Sequence, residues 1–169
     1  MYKKTSVEEI FERYGEMLYK ICIIMLKKTY DAEDTVQDVI IKYMTHNPVF
    51  VSSEHEKAWL IRVAMNLCKD KLRFYKIYPQ INIETIKTTY SEDSTDNQIL
   101  EVLLALQPKY KEVLLLHYVE GYKCYEISKI LKIKESTVKK RLERGRNLLK
   151  KELRGEAYSE KNVIENCVN

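Results

Sequence analysis

Apolar residues recur three and four apart along nearly the whole chain, and that spacing is the strongest constraint on the fold. Ile10, Tyr14, Met17, Ile21, Ile24 and Met25 form one such stripe, a period that a helix aligns on one face and a strand scatters over both. It predicts a helix from about Val7 to Lys28, with Lys27 and Lys28 complementing the C-terminal end of its dipole. Asp31 has the chemistry of an N-cap, Glu33 and Asp34 suit a first turn, and Val36, Val39, Ile40 and Tyr43 give a second inner face that His46-Asn47-Pro48 ends. After a polar loop, Trp59, Leu60, Val63, Ala64, Leu67, Cys68 and Leu72 mark a third helix that runs to about Tyr75.

The pattern then fails. From Lys76 to Asp96 there is no period, Pro79 interrupts, and Ser91-Glu92-Asp93-Ser94-Thr95-Asp96 is small, polar and acidic, which predicts a linker. Ile99, Val102, Leu103 and Leu106 begin a new helical stripe. Pro108 suits a first helical position and leads into Val113, Leu114, Leu116 and His117, with Gly121 as the stop. Two further helices follow, Cys124 to Leu131 and Glu135 to about Leu153, separated only by Lys132-Ile133-Lys134, a spacing that makes a tight helix-turn-helix. The expected fold class is therefore all-α: two small helical domains joined by a flexible linker. The boundaries are a three-helix domain at 7–75, the linker at 76–96, a helix-turn-helix domain at 97–154 and a disordered tail at 155–169.

Composition excludes several function classes. The longest apolar run is the six residues Ile21 to Leu26, far short of the ~20 that a membrane span needs, and Glu8 and Glu9 fall where a signal peptide needs its apolar stretch. A cytoplasmic location is expected. The four cysteines (Cys22, Cys68, Cys124, Cys167) lack paired spacing, so they read as small buried thiols rather than a disulfide framework or zinc site. His46, His55 and His117 are scattered, and no glycine-rich phosphate loop exists. The expectation is a non-enzyme without metal or cofactor.

Charge is segregated along the chain. Between Lys123 and Arg154 twelve lysines and arginines stand against four glutamates, although the whole protein carries only +4. A short helix, a three-residue turn and a long basic helix is the arrangement that places a helix N-terminus in the major groove. Lys134, Ser136, Thr137, Lys139, Lys140, Arg141 and Arg144 are the candidate contacts to phosphates or base edges. On the third helix, Arg62, Asn66, Lys69, Arg73 and Lys76 are spaced four, three, four and three, so a polar stripe lies opposite the apolar one. With Trp59, Phe74 and Tyr75 beside it, an unpaired strand is a suitable ligand, although Trp59 opens an apolar face and reads better as a core anchor. Asp31 to Asp38 holds four acids and no base; dipole capping accounts for the first three, while Asp38 with Gln37 points to a positive protein partner.

These segments resemble the extracytoplasmic-function (ECF) RNA polymerase sigma factors. Asp31-Ala32-Glu33-Asp34-Thr35-Val36-Gln37-Asp38 is similar to that family's D-A-E-D-x-V-Q-E segment, and the helix from Trp59 to Arg73 to its W-L-x-x-I-A-x-N-x-x-x-D-x-x-R pattern. Pro108 with Val113-Leu114-Leu115-Leu116, then Glu120-Gly121, Glu126-Ile127, Thr137-Val138-Lys139, Arg141-Leu142, Arg144 and Arg146 follow its promoter-binding helix-turn-helix. The resemblance implies a transcription initiation factor that directs core RNA polymerase to promoters. Asp31, Asp34, Gln37 and Asp38 would meet the clamp helices of the largest subunit, and the C-terminal domain the flap of the second-largest. Arg62, Asn66, Lys69, Arg73 and the loop from about Pro48 to Lys57 would handle the minus-10 element; Glu135 to Arg146 would read the minus-35 duplex. An anti-sigma protein is an implied partner, and membrane insertion is not. Lys123 and Lys134 replace the family's usual N-cap Ser, and Lys132 its turn Gly, so a looser turn is expected. The competing reading is a helix-turn-helix regulator that binds operators without entering polymerase; it leaves the acidic segment and the Trp59 helix unused.

Overall fold

The computed structural model describes residues 5–77 and 94–155, and every regular element among them is helical. The expected linker therefore lies mostly outside the described residues, as does the tail beyond Gly155. The elements are α1 (Val7–Leu26), α2 (Thr29–His46), α3 (Ser53–Ile77), α4 (Ser94–Ala105), α5 (Pro108–Leu114) continued by a π-helical segment (Leu115–Val119), α6 (Cys124–Leu131) and α7 (Glu135–Leu153).

Local chemistry sets the boundaries. Ser6 opens α1 through a capping box: its Oγ accepts from the Glu9 amide at 3.2 Å while the Glu9 carboxylate accepts from the Ser6 amide at 3.1 Å. The helix stops at Leu26 because Lys27 turns left-handed (φ 63°) and its amide returns to the Ile23 carbonyl at 2.9 Å. Lys28, not Asp31, is the N-cap of α2, so Asp31 stands within its first turn. The third helix begins at Ser53, six residues before Trp59, where its apolar stripe starts. Ser52 caps it by accepting the His55 amide at 3.2 Å, and Glu54 and Glu56 fill its first turn. Much of the expected minus-10 loop is thus helix.

α1, α2 and α3 pack into one unit and α4 to α7 into another, but the two share a single continuous apolar core. The junction explains Ile21 to Leu26: all six are buried, because α2 and α3 cover one side of α1 while α4 and α5 cover the other. Lys111 of α5 joins this junction. It is 1% exposed, and its ammonium donates to the Ile24 carbonyl at 3.2 Å, satisfying one of the acceptors that a helix C-terminus leaves open. Cys22 and Cys68 are free, buried thiols in the three-helix unit. The hydrogen bond to Cys68, followed by burial, pushes the Cys22 thiol up.

In the second unit α7 crosses α5 closely at Gly145, where an added Cβ would stand 3.0 Å from Leu114. The turn between α6 and α7 is tighter than expected: Lys132 adopts the left-handed conformation (φ 55°), and the amides of Lys132 and Ile133 both return to the Ser128 carbonyl, the latter at 3.1 Å. The extra side chain is absorbed as backbone strain rather than as slack.

Two outcomes follow from these positions. Burial, aided by Lys27, lowers Lys111 to about 7, whereas in the unfolded chain it keeps its proton to about 10.4. The unfolded state then holds more protons between those values, so urea-melt stability rises with pH across that window; Lys111→Met flattens the rise. Lys132→Gly removes the left-handed penalty at some entropic cost and raises stability by about 0.5–1 kcal/mol in the same assay.

Candidate nucleic-acid interface

The acidic segment is built into α2 and braced by α3. Asp31 is 8% exposed, and its Oδ1 accepts the Tyr75 hydroxyl at 2.7 Å. Its Oδ2 has no hydrogen-bond partner among the described residues. Burial first, then this hydrogen bond, pushes the Tyr75 phenol up to about 12. The ring also carries the Lys28 ammonium 4.9 Å from its centre. Asp34 is paired with Lys71. Asp31 and Asp34 therefore orient the helix as well as charge it. Tyr75 is committed to Asp31 rather than to the polar stripe it was expected to flank. Gln37 is exposed and Asp38 half-buried, and the same face continues through exposed Ile41 and Met44. That apolar extension was missed in sequence, although its signal was there: positions 37, 41 and 44 keep helical spacing outside the buried set.

The N-terminal end of α3 carries an aromatic cluster. Trp59 meets Tyr43 edge-on at 6.0 Å and Phe50 at 5.9 Å, and Phe50 stacks on Tyr43 at 6.0 Å. Beneath it Glu56 is fully buried: Tyr43 donates to one oxygen at 2.6 Å and Thr5 to the other at 2.8 Å. Trp59 is half-buried and anchors the core from its edge. Glu56 was missed because a charged residue in a polar stretch carries no sign of complete burial.

The polar stripe of α3 is only partly open. Asn66 is exposed, and Arg73 is exposed in an ion pair with Asp70 at 2.8 Å. Arg62 donates from Nε to the Ile130 carbonyl of α6 at 3.0 Å, and Lys69 lies 3.1 Å from Glu112 of α5. On the helix-turn-helix, Lys134, Ser136, Lys139, Lys140 and Arg144 are exposed and Thr137 is half-buried. Lys139 pairs with Glu135 at 2.8 Å on the surface, a contact worth about 0–1 kcal/mol and readily exchanged for a phosphate. Arg141 differs, being half-buried and paired with Glu112 at 2.7 Å. Neither helix of the motif has a side-chain cap from its N-cap lysine; at Lys123 the Glu126 carboxylate accepts the backbone amide instead, at 2.8 Å.

Comparison with known proteins covers both units. Residues 10–76 match the Sigma-70 region 2 family and residues 96–149 match Sigma-70 region 4. The chain is 31% identical to the ECF RNA polymerase sigma factor SigW of Bacillus subtilis, over 89% of this chain and 90% of that protein. It is 30% identical to the sigma factor SigV of the same organism, over 83% and 87%. Among solved structures, the sigma factor RpoE in complex with the anti-sigma factor NepR from Bartonella quintana superposes with a TM-score of 0.72 at 22% identity, covering 89% of this chain and 98% of that one. CnrH in complex with the cytosolic domain of CnrY gives 0.65 at 20% identity, covering 89% of each. These two show the same fold.

The brace is testable directly. Tyr75→Phe leaves the buried Asp31 carboxylate without its donor and should lower stability by about 1–2 kcal/mol in thermal or urea melts, the helix dipole moderating the loss.

Proposed function

Since the chain belongs to the ECF RNA polymerase sigma factors, we propose that it binds core RNA polymerase, brings it to promoters and is itself non-catalytic. One observation supports this over an operator-binding regulator: the molecule that carries an exposed basic helix after a tight turn also carries, on its other unit, an α2 face with no use in operator binding. Both faces have a role only if DNA and a protein partner are held together.

In this reading Gln37, Asp38 and the outer oxygens of Asp34 meet the clamp helices of the largest subunit, with Asp31 fixing the helix start that presents them. Ile41 and Met44 extend that contact as apolar surface. Arg62, Asn66, Lys69 and Arg73 follow the unpaired minus-10 strand, and the cluster of Tyr43, Phe50 and Trp59 backs the turn that receives it. Lys134, Ser136, Thr137, Lys139, Lys140, Arg141 and Arg144 approach the minus-35 duplex, chiefly through phosphates, while the same unit rests on the polymerase flap. The division is physically sensible, since one site must hold separated strands while the other grips paired DNA. An anti-sigma protein is the expected regulator, and the cytoplasm, where polymerase and chromosome meet, the expected location. Among the described residues no helix is long and apolar enough to cross a membrane.

The test is reconstitution. Core polymerase with this protein should initiate on a subset of templates from a random-sequence pool, and Asp38→Arg should weaken co-purification with core by at least about tenfold, because a positive partner then meets a like charge. Failure to initiate on any template removes the proposal.

A further inference from the structure

One cleft carries more positive charge than the acid beside it can answer. It has a volume of about 840 Å³ and lies between α3, the start of α5 and the turn into α7, within the size range of small-ligand sites. Its lining brings Lys69, Arg73 and Lys76 of α3, Lys109 of α5 and Arg141 of α7 together with a single carboxylate, Glu112. Five cations set against one acid on concave walls focus a positive potential that draws small anions in.

The cations are held in different ways. Glu112 is 3% exposed; its Oε1 accepts from Arg141 at 2.7 Å, and its Oε2 lies 3.1 Å from the Lys69 ammonium. Those two cations are thus ordered before any ligand arrives, which lowers the entropic cost of binding one. Arg73 pairs with Asp70 at 2.8 Å on the surface, a contact that water screens and an anion readily replaces. For Lys76 and Lys109 the cleft offers no second carboxylate. Lys69, Arg73 and Lys76 span roughly 10 Å of helix axis, more than one phosphate group reaches, so the anion that fits carries several phosphates in a row. The remaining lining suits a different chemistry. Leu72 of α3 and Leu131 and Ile133 at the turn are half-buried and give a flat ring an apolar surface to lie on. Gln107 also lines the cleft, and its side chain makes no cap for α5; an amide both donates and accepts, as the edge of a nucleobase does.

We propose that this cleft is a binding site for a nucleoside di- or triphosphate, its phosphate chain lying along Lys69, Arg73 and Lys76 with Lys109 and Arg141 opposite, and its base resting on Leu72 and Ile133. A nucleic-acid strand fits less well, because its backbone must run on in both directions while the turn between α6 and α7 walls the cleft. The site needs neither polymerase nor promoter, and it stands whether or not α3 follows an unpaired strand.

The experiment is isothermal titration calorimetry of the full chain at about 0.15 M salt, where stray attraction between exposed charges is screened, with GTP, ATP and inorganic tripolyphosphate as probes. At least one nucleotide should bind at a single saturable site and more tightly than tripolyphosphate. Lys109→Ala should weaken that binding about fivefold or more, while Lys150→Ala, which removes an exposed lysine outside the cleft, leaves it unchanged. Fluorescence anisotropy with an oligothymidylate of about 20 nucleotides should show no loss in Lys109→Ala. If circular dichroism shows that Lys109→Ala has lost helicity, Lys76→Ala on the opposite wall decides by the same fivefold loss of nucleotide binding. The proposal is overturned if neither nucleotide saturates a site on the wild-type protein, or if tripolyphosphate binds as tightly as both, which would leave the base without a role. Equal losses in Lys109→Ala and Lys150→Ala overturn it in favour of diffuse attraction, and an oligothymidylate loss that matches the nucleotide loss overturns it in favour of a nucleic-acid surface.

Discussion

Six consecutive apolar side chains, Ile21 to Leu26, leave the last turns of α1 with no polar face, so that end of the helix must be enclosed on every side. Burying each of the larger ones contributes about 1.5–3 kcal/mol relative to exposure. The three-helix unit supplies only part of the cover, and α4 and α5 supply the remainder. Once they do, the ordering of Lys111 against the Ile24 carbonyl and of Glu112 against Lys69 follows from their places on α5. The apolar junction is the cause of the closed arrangement; the polar contacts set its register and specificity.

That arrangement gives one set of charges partners within the protein that compete with the role proposed for them. Arg62 and Arg141 satisfy protein acceptors in the structure, and Lys69 stands 3.1 Å from Glu112; the function proposed above gives the same side chains to phosphate. Polar contacts of this kind are individually modest, so exchanging one partner for another changes the balance little per contact, and the sum decides which state prevails.

The helices were legible from periodicity because each packs one face on a core, and the helix-turn-helix was legible because its turn is short and its charge segregated. Helix ends were less so. Asp31 has N-cap chemistry, but the left-handed Lys27 lets α2 begin three residues earlier, with Lys28 as its N-cap, and the start of α3 was hidden because Ser52 caps a first turn that buries only Glu56. Pairings across the chain, such as Tyr75 with Asp31 or Glu112 with both Lys69 and Arg141, leave no mark on spacing, since either partner looks like an ordinary surface residue alone. The separation into two units was readable from the break in pattern. Their shared core had one trace, the unbroken run in α1, and spacing gave no hint of what would cover it.

The length of α3 has a mechanical consequence. At 25 residues it is a rod of roughly 37 Å, and it carries Trp59 near one end, the Arg62 to Arg73 stripe along its middle, and Lys71 and Tyr75, which grip the acidic start of α2, toward the other. A stiff helix does not bend to suit each site separately. A tilt imposed at the end that grips α2 is delivered as a displacement, larger with distance, to the aromatic end, so under the proposed function attachment and strand capture are the two arms of a single lever.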